Sequence, residues 1–243
     1  MVRAAARVWP NRAPLLVASP VVTPLLIAVD FDGTITLRDT LHVIVDAHGR
    51  RGAWDELQPD LRRGRITVEQ AMQQQFRTVT ASHDEVAALI RSDAGVREGF
   101  TDLVAYAADE GHRLVVMSAG FRSVIDLVLG DLGLGYLEVV ANDAVFSGDG
   151  CRLVWGQDRG DVCVLCDRRC KRHAIRMRHR GETIVYVGDG ISDRCASQMA
   201  DVVFARDDLA EHLSGRGVAF TPYEDFHDVI TGLRLVGAHA GAV

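Results

Sequence analysis

Residues 25–36 read L-L-I-A-V-D-F-D-G-T-I-T, Leu25 through Thr36. An apolar, β-branched run of the length of a buried parallel strand stops abruptly at two aspartates, Asp30 and Asp32, with one residue between them. Open α/β sheets gather their chemistry at strand ends of this kind. Two carboxylates so close repel each other, and apolar neighbours resist their ionisation, so the pattern calls for a bound cation or a shared proton. Gly33 lets the chain turn sharply. The residues read as a nucleophilic carboxylate at Asp30 and, at Asp32, a group clear of the strand that can give and take a proton.

The chain around this stretch has 243 residues and is 48% hydrophobic, enough for one α/β domain with a sizeable insertion. Its net charge of -6 argues against nucleic acid or an anionic membrane as main partner. No apolar run reaches the ~18 residues of a spanning helix. Residues 1–23 carry Arg3, Arg7 and Arg12, but Pro10, Pro14 and Pro20 interrupt every stretch that could serve as an export signal, so they read as a mobile leader. Five cysteines, an odd number, without an export signal point to a reducing cytoplasm. Oligomeric state is not legible, and a homodimer stays open.

Downstream, residues 37–95 read as helical throughout. Thr67 to Val79 looks like a capped helix, with Thr67 as N-cap and Gln70 three residues on. A plain crossover between two strands needs far fewer residues, so this block is an insertion. Phe100 to Glu110 is amphipathic, and Arg113 to Ser118 is a second buried strand. Ser118, with Ala119 and Gly120 exposing backbone N–H groups, offers a seat for a phosphate oxygen; the same serine could cap a helix over 121–132. Leu137 to Val145 and Cys151 to Trp155 read as a hairpin. Cys163, Cys166, Cys170 and His173 have spacings a zinc ion accepts, yet they span eleven residues with no second knuckle, and a helical course would spread them over different faces. The plainer reading is half-buried thiols beside a basic cluster. In that cluster, five of the ten residues from Arg168 to Met177 are basic, and Lys171 is the one lysine in the chain. Thr183 to Val187 is a third buried strand that runs into G-D-G-I-S-D, whose Asp189 and Asp193 are hard oxygen ligands suited to magnesium. Further strands are expected at Val202 to Ala205 and near Val218 to Thr221.

D-F-D-G-T-I-T resembles the first motif of the haloacid dehalogenase superfamily, in the D-x-D-G-T form of its phosphatases. The other pieces follow in that family's order: Ser118 in the second slot, Lys171 in the third, G-D-G-I-S-D in the fourth. The resemblance covers about residues 25–235. The tail from Asp201 to Ile230, with A-G-V-R-E-G-F at 94–100 and A-N-D-A-V-F at 141–146, is similar to the phosphoserine-phosphatase-like branch. Within that branch it looks closest to the methionine-salvage phosphatases acting on 2-hydroxy-3-keto-5-methylthiopentenyl-1-phosphate. Two departures stand out: Ser192-Asp193 where phosphoserine phosphatases usually have Asn-Asp, and Ser118-Ala119-Gly120 where the salvage enzymes tend to Ser-Gly-Gly.

The resemblance implies a Rossmann-like three-layer α/β/α core with a mainly parallel sheet, built from residues 24–36 and 96–243, and a small helical cap over 37–95. It implies a magnesium-dependent phosphatase for a small phosphorylated metabolite. Asp30 would attack phosphorus to form an aspartyl phosphate, and Asp32 would protonate the leaving alcohol and then deprotonate the incoming water. Ser118 and Lys171 would hold phosphoryl oxygens, with Thr34, Ala119 and Gly120 at the phosphate. Magnesium would be held by Asp30, the Asp32 backbone carbonyl and Asp189, with Asp193 orienting its waters. Arg62, Arg63, Arg65 and Arg77 could meet a substrate carboxylate. Two rivals remain: a phosphotransferase with an acceptor other than water, and a metal or redox protein built on Cys163–Cys170.

Overall fold

A computed structural model describes residues 24–156, 163, 166 and 170–240. The expected leader, 1–23, and residues 167–169 of the basic cluster lie outside the described residues. The opening run forms strand β1 (Leu25–Asp30), buried at all six positions. Side chains alternate across a strand, and here both faces are apolar: Leu25, Ile27 and Val29 join one core, Leu26 and Ala28 a second.

The other strands are β2 (Arg113–Phe121), β3 (Glu138–Phe146), β4 (Cys151–Val154), β5 (Thr183–Gly188), β6 (Val202–Ala205) and β7 (Thr221–Pro222). They form one sheet in the order β4-β3-β2-β1-β5-β6-β7. Neighbours run parallel except for the β3–β4 hairpin. With β2 on one side and β5 on the other, β1 sits where the strand order reverses, and a crevice opens at its carboxyl end. The register places Asp30 opposite Met117 and Val29 opposite Val187. Ser118 and Asp189 therefore emerge beside Asp30.

Between β1 and β2 lie helices α1 (Thr40–His48), α2 (Ala53–Arg62), α3 (Val68–Phe76) and α4 (His83–Asp93), then α5 (Phe100–Asp109). Their starts are written locally. Asp39 accepts from the amides of Leu41 and His42, and capping boxes pair Thr67 with Gln70 and Ser82 with Glu85. The α1–α4 segment leaves and rejoins the sheet at one neck, where Thr36 bridges Val96 and the Leu37 amide donates to the Gly95 carbonyl at 3.3 Å. The remaining helices are α6 (Arg122–Asp131), α7 (Lys171–Arg178), α8 (Asp207–Ser214) and α9 (Phe226–Ala240). Phe100, Ile125 and Phe226 bring α5, α6 and α9 onto the first core, and Ile175 and Leu209 bring α7 and α8 onto the second. Among the described residues no helix is long and apolar enough to cross a membrane.

Two boundaries differ from the sequence reading. Strand β2 continues past Ser118 to Phe121, with a register irregularity against β3, so α6 starts at Arg122. Residues from Val218 do not enter a strand until Thr221, because the Val218 amide is taken by the Leu213 carbonyl at 3.1 Å in closing the end of α8.

At the sheet end remote from Asp30, the Arg113 guanidinium donates to Glu182 Oε1 at 2.6 Å, and the Arg180 amide donates to Glu182 Oε2 at 2.6 Å. Burial opposes ionisation of Glu182, but these donors win and pull its pKa down from 4.5 to about 2. A depressed folded-state pKa gives stability that is present above the unfolded value and lost as pH falls through the folded one. Glu182→Gln is therefore expected to destabilise the fold by about 1–3 kcal/mol at pH 7. In paired denaturant titrations the gap between wild type and variant should close between pH 4.5 and about 2.

Candidate active site

The carboxyl ends of β1, β2 and β5 and the start of α7 converge on one buried polar cluster. After β1 the chain makes a wide turn, closed by the Thr36 amide donating to the Phe31 carbonyl at 3.0 Å. Gly33 sits at φ +78°, and a Cβ there would collide with Asp189 Oδ2, so this turn and the Asp189 turn pack backbone against carboxylate. Buried Arg97 braces the turn from behind, donating to the Thr34 carbonyl at 2.8 Å and the Gly33 carbonyl at 2.7 Å.

The two aspartates of the turn have different surroundings. Asp30 accepts from the Phe31 amide at 2.7 Å and from Lys171 Nζ in a very short contact. Asp32 instead accepts from the Thr40 amide at 3.1 Å, from the Thr40 hydroxyl, and from the Ser118 hydroxyl at 2.9 Å. The Ser118 oxygen in turn accepts from the Gly120 amide at 2.7 Å, which fixes its proton toward Asp32. Gly120 has to be a glycine, since a Cβ would stand 2.7 Å from Asp32 Oδ2 and 3.0 Å from Ser118 Oγ.

Lys171 is buried at 7% exposure and bridges Asp30 to Asp193, the second contact at 2.6 Å. Asp193 is saturated with donors. Its Oδ1 also takes the Tyr186 hydroxyl at 2.6 Å, and its Oδ2 takes the amides of Asp189 and Gly190 at 3.1 and 2.9 Å. Asp189 is held by the Thr34 hydroxyl at 2.9 Å, so fully buried Thr34 stands behind the carboxylates.

One oxygen each of Asp30, Asp189 and Asp193 lies within 4.8 Å of the others. With all three carboxylates ionised, one ammonium would leave two negative charges in a buried space. Burial, then the nearby Asp193 charge, push Asp30 well above the carboxylate range and Asp189 up to about 7. For Asp193 burial is outweighed by Lys171, which holds it below its ordinary value, and Lys171 is raised in return by Asp193 and Asp30. Burial and the Asp39 charge raise Asp32 to about 6 against its hydrogen bonds from Thr40 and Ser118.

Two adjoining cavities meet here. The smaller, about 210 Å³, is lined by Asp30, Asp32 and Asp189 with His42 and Trp54. The larger, about 440 Å³, has Ser118 and Lys171 in its wall with Leu61, Val68 and Met72 from the inserted helices. Leu61, Val68 and Met72, with Ala119, Ile191 and Ser192, line both. Of the four arginines considered for a substrate carboxylate, Arg62 lines the larger cavity and pairs with Asp208 on α8 at 2.5 Å, Arg65 pairs with Asp60 at 3.0 Å, and Arg63 and Arg77 are exposed.

Of the residues singled out from the sequence, Asp30, Asp32, Thr34, Ser118, Ala119, Gly120, Lys171, Asp189 and Asp193 lie at this strand end, whereas Arg63, Arg65 and Arg77 line neither cavity. Thr40, Tyr186 and Arg97 were not among those singled out. Thr40 opens a helix and Tyr186 sits inside an apolar strand, positions that carry no signal of their own. Arg97 lies in A-G-V-R-E-G-F, where a charge beside two glycines was the available clue.

The family model for haloacid dehalogenase-like hydrolases matches residues 27–198. A 2-hydroxy-3-keto-5-methylthiopentenyl-1-phosphate phosphatase from Geobacillus kaustophilus is 30% identical over 215 residues, covering 86% of this chain and 96% of its own. One of the same name from Bacillus velezensis is 28% identical over 220 residues, covering 88% and 92%. Among solved structures, a substrate-bound phosphoserine phosphatase superposes with a TM-score of 0.68 at 18% identity, covering 86% of this chain and 97% of its own. A phosphoserine phosphatase with an analogue of the phospho-aspartyl intermediate gives 0.65 at 17%, covering 86% and 98%. These structural likenesses are of fold.

Removing the ammonium from this cluster leaves buried carboxylates uncompensated, a loss of about 3–5 kcal/mol. Lys171→Met should cost that much in chemical denaturation at pH 7 in EDTA. An equal loss at pH 4, where the raised carboxyls are protonated, would count against the charge account.

Proposed function

The chain belongs to the haloacid dehalogenase-like hydrolases and is a phosphatase of that family, and we propose that its substrate is a small phosphate monoester with an apolar tail, of the 2-hydroxy-3-keto-5-methylthiopentenyl-1-phosphate kind. The observation that carries the reading is the division of labour between Asp30 and Asp32. One carboxylate faces a lysine and a carboxylate cluster, the other faces two hydroxyls two residues away.

Asp30 attacks phosphorus in line, the bond to the leaving oxygen breaks, and an aspartyl phosphate forms. Asp32 delivers its proton to the leaving alkoxide, then takes a proton from the water that attacks the aspartyl phosphate. The Ser118–Gly120 bond and the Thr40 contacts keep that carboxylate on the substrate side of the turn. Lys171 meets the charge of the phosphoryl group, and a compact ammonium suits a seat between anions better than a planar guanidinium. Thr34, Tyr186 and the Asp189 and Gly190 amides position the acidic groups rather than touching substrate.

The donor set fits magnesium: hard oxygens, few protein carboxylates, and carboxyls whose ionisation burial opposes and a divalent cation would favour. Asp30, Asp189 and the Asp32 carbonyl would hold it. Asp193, with its oxygens already committed, would act through the waters. Bound there, the cation supplies charge neutralisation between nucleophile and phosphate.

For the substrate class, Leu61, Val68 and Met72, shared by the two cavities, form an apolar wall that suits an apolar chain, beside charged Arg62, Glu69 and Arg194 in the larger one. The placement of α1–α4, joined through one neck and contributing that wall, supports a cap that selects substrate. Five cysteines with no disulfide among the described residues support a cytoplasmic setting.

Phosphate release from a panel that includes a methylthiopentenyl-type phosphate and phosphoserine tests this reading. Magnesium-dependent turnover should favour the former and vanish with EDTA or in Asp30→Asn. Inertness on every ester with magnesium present sinks it, and transfer of phosphate to an added alcohol would make the enzyme a phosphotransferase. Gly120→Ala, which drives a methyl toward Asp32 and Ser118, is expected to lower kcat by about 100-fold. Its circular-dichroism melt should stay close to wild type.

A further inference from the structure

Four cysteines take no part in the proton transfer or phosphoryl attack proposed above. Cys163, Cys166 and Cys170 form a C-x2-C-x3-C run ahead of α7, and Cys195 follows Arg194 just past Asp193. One sulfur from each lies within 4.8 Å of all the others, and the Cys163 and Cys195 sulfurs are 3.5 Å apart. Cys163 is buried, the other three are half-buried, and none is in a disulfide.

The spacing suggests His173 as the fourth partner. The fold supplies Cys195 instead, and His173 Nδ1 lies 3.4 Å from Arg176. Nor does a helix spread the thiols apart, because α7 begins at Lys171, one residue after Cys170.

Geometry narrows the chemistry. A tetrahedral ion with metal–sulfur bonds of about 2.3 Å keeps its four sulfurs about 3.8 Å apart. A set with no pair beyond 4.8 Å encloses a single ion. An iron–sulfur cluster, with irons and sulfides between its ligands, would hold them wider. We infer that Cys163, Cys166, Cys170 and Cys195 bind one Zn2+ in a closed, four-coordinate structural site.

Four zinc–sulfur bonds form, the thiol protons pass to the buffer, and no electron moves. Zinc with four thiolates carries two negative charges, and the chain sets cations alongside in sequence, Arg172 after Cys170 and Arg194 before Cys195. Each has one buried guanidinium nitrogen, Nη1 and Nε, with no hydrogen-bond partner among the described residues.

The position gives the site a use. Cys170 immediately precedes Lys171, and Cys195 lies two residues beyond Asp193. The ion would clamp together the two chain segments that supply the ends of the Lys171–Asp193 pair. Cys166, Cys170 and Cys195 also belong to the wall of the larger cavity.

The test is metal content of the full-length chain, expressed with zinc in the medium and desalted without chelator. Mass spectrometry should find about one zinc per chain in wild type, in Cys151→Ser and in Asp30→Asn, and little in Cys166→Ser or Cys195→Ser. Cobalt added to the reduced, metal-free wild type should give thiolate-to-metal charge transfer and strong tetrahedral d–d absorption, a readout that does not depend on any variant folding. Zinc retained by both cysteine variants, iron in its place, pairwise disulfides, or a wild type that takes up neither zinc nor cobalt overturns the inference. Phosphate release is not among these readouts, so the zinc site and the phosphatase reading fail separately.

Discussion

The contact on which the site depends is a single ammonium, Lys171, held away from water between Asp30 and Asp193. Near a protein surface an ion pair at 4 Å is worth about 4 kcal/mol, and removing each ion from water costs several. One lysine between two carboxylates does not balance that cost, and Asp189 adds a third anion. The imbalance is the physical reason the acidic side chains are so heavily hydrogen-bonded. Every Asp193 oxygen is spoken for, and Thr34 is spent on Asp189.

Geometry then sorts two chemically identical groups into two different surroundings. Asp30 ends a strand and inherits the strand's register, which brings Ser118 and Asp189 beside it without any long side chain having to reach. Asp32, after the bend, falls to the donors at the start of α1 and the end of β2. The same bend admits only a glycine, because the Asp189 carboxylate occupies the space a Cβ would need.

Much of this was legible in the chain. The apolar run ending in D-F-D-G-T could be read as a buried strand because both of its faces are hydrophobic; Ser118 and Asp189 fell at later strand ends, and the order that includes Lys171 came from the family resemblance. The helix over Val68–Phe76 announced itself through Thr67-x-x-Gln70, a local signal that the fold keeps. What could not be read were contacts between residues distant in sequence whose type carries no pattern. Tyr186 looks like strand filler until Asp193 folds back on it, Thr40 looks like any first helical residue, and Cys195 gives no sign that it will return to Cys170. Periodicity and capping report on neighbours in the chain; these pairings are set by how loops close over the sheet.

The central place of β1 has a kinetic side. Its two partners come from far along the chain, β2 starting at Arg113 and β5 at Thr183. From Leu25 to Thr183 is 158 residues, by subtraction of the two paired positions. At a synthesis rate of about 5–20 residues per second, β5 leaves the ribosome roughly 8–30 s after β1. For that interval a strand buried at every position in the folded protein has at least one edge unpaired, a surface open to chaperones and to other nascent chains alike.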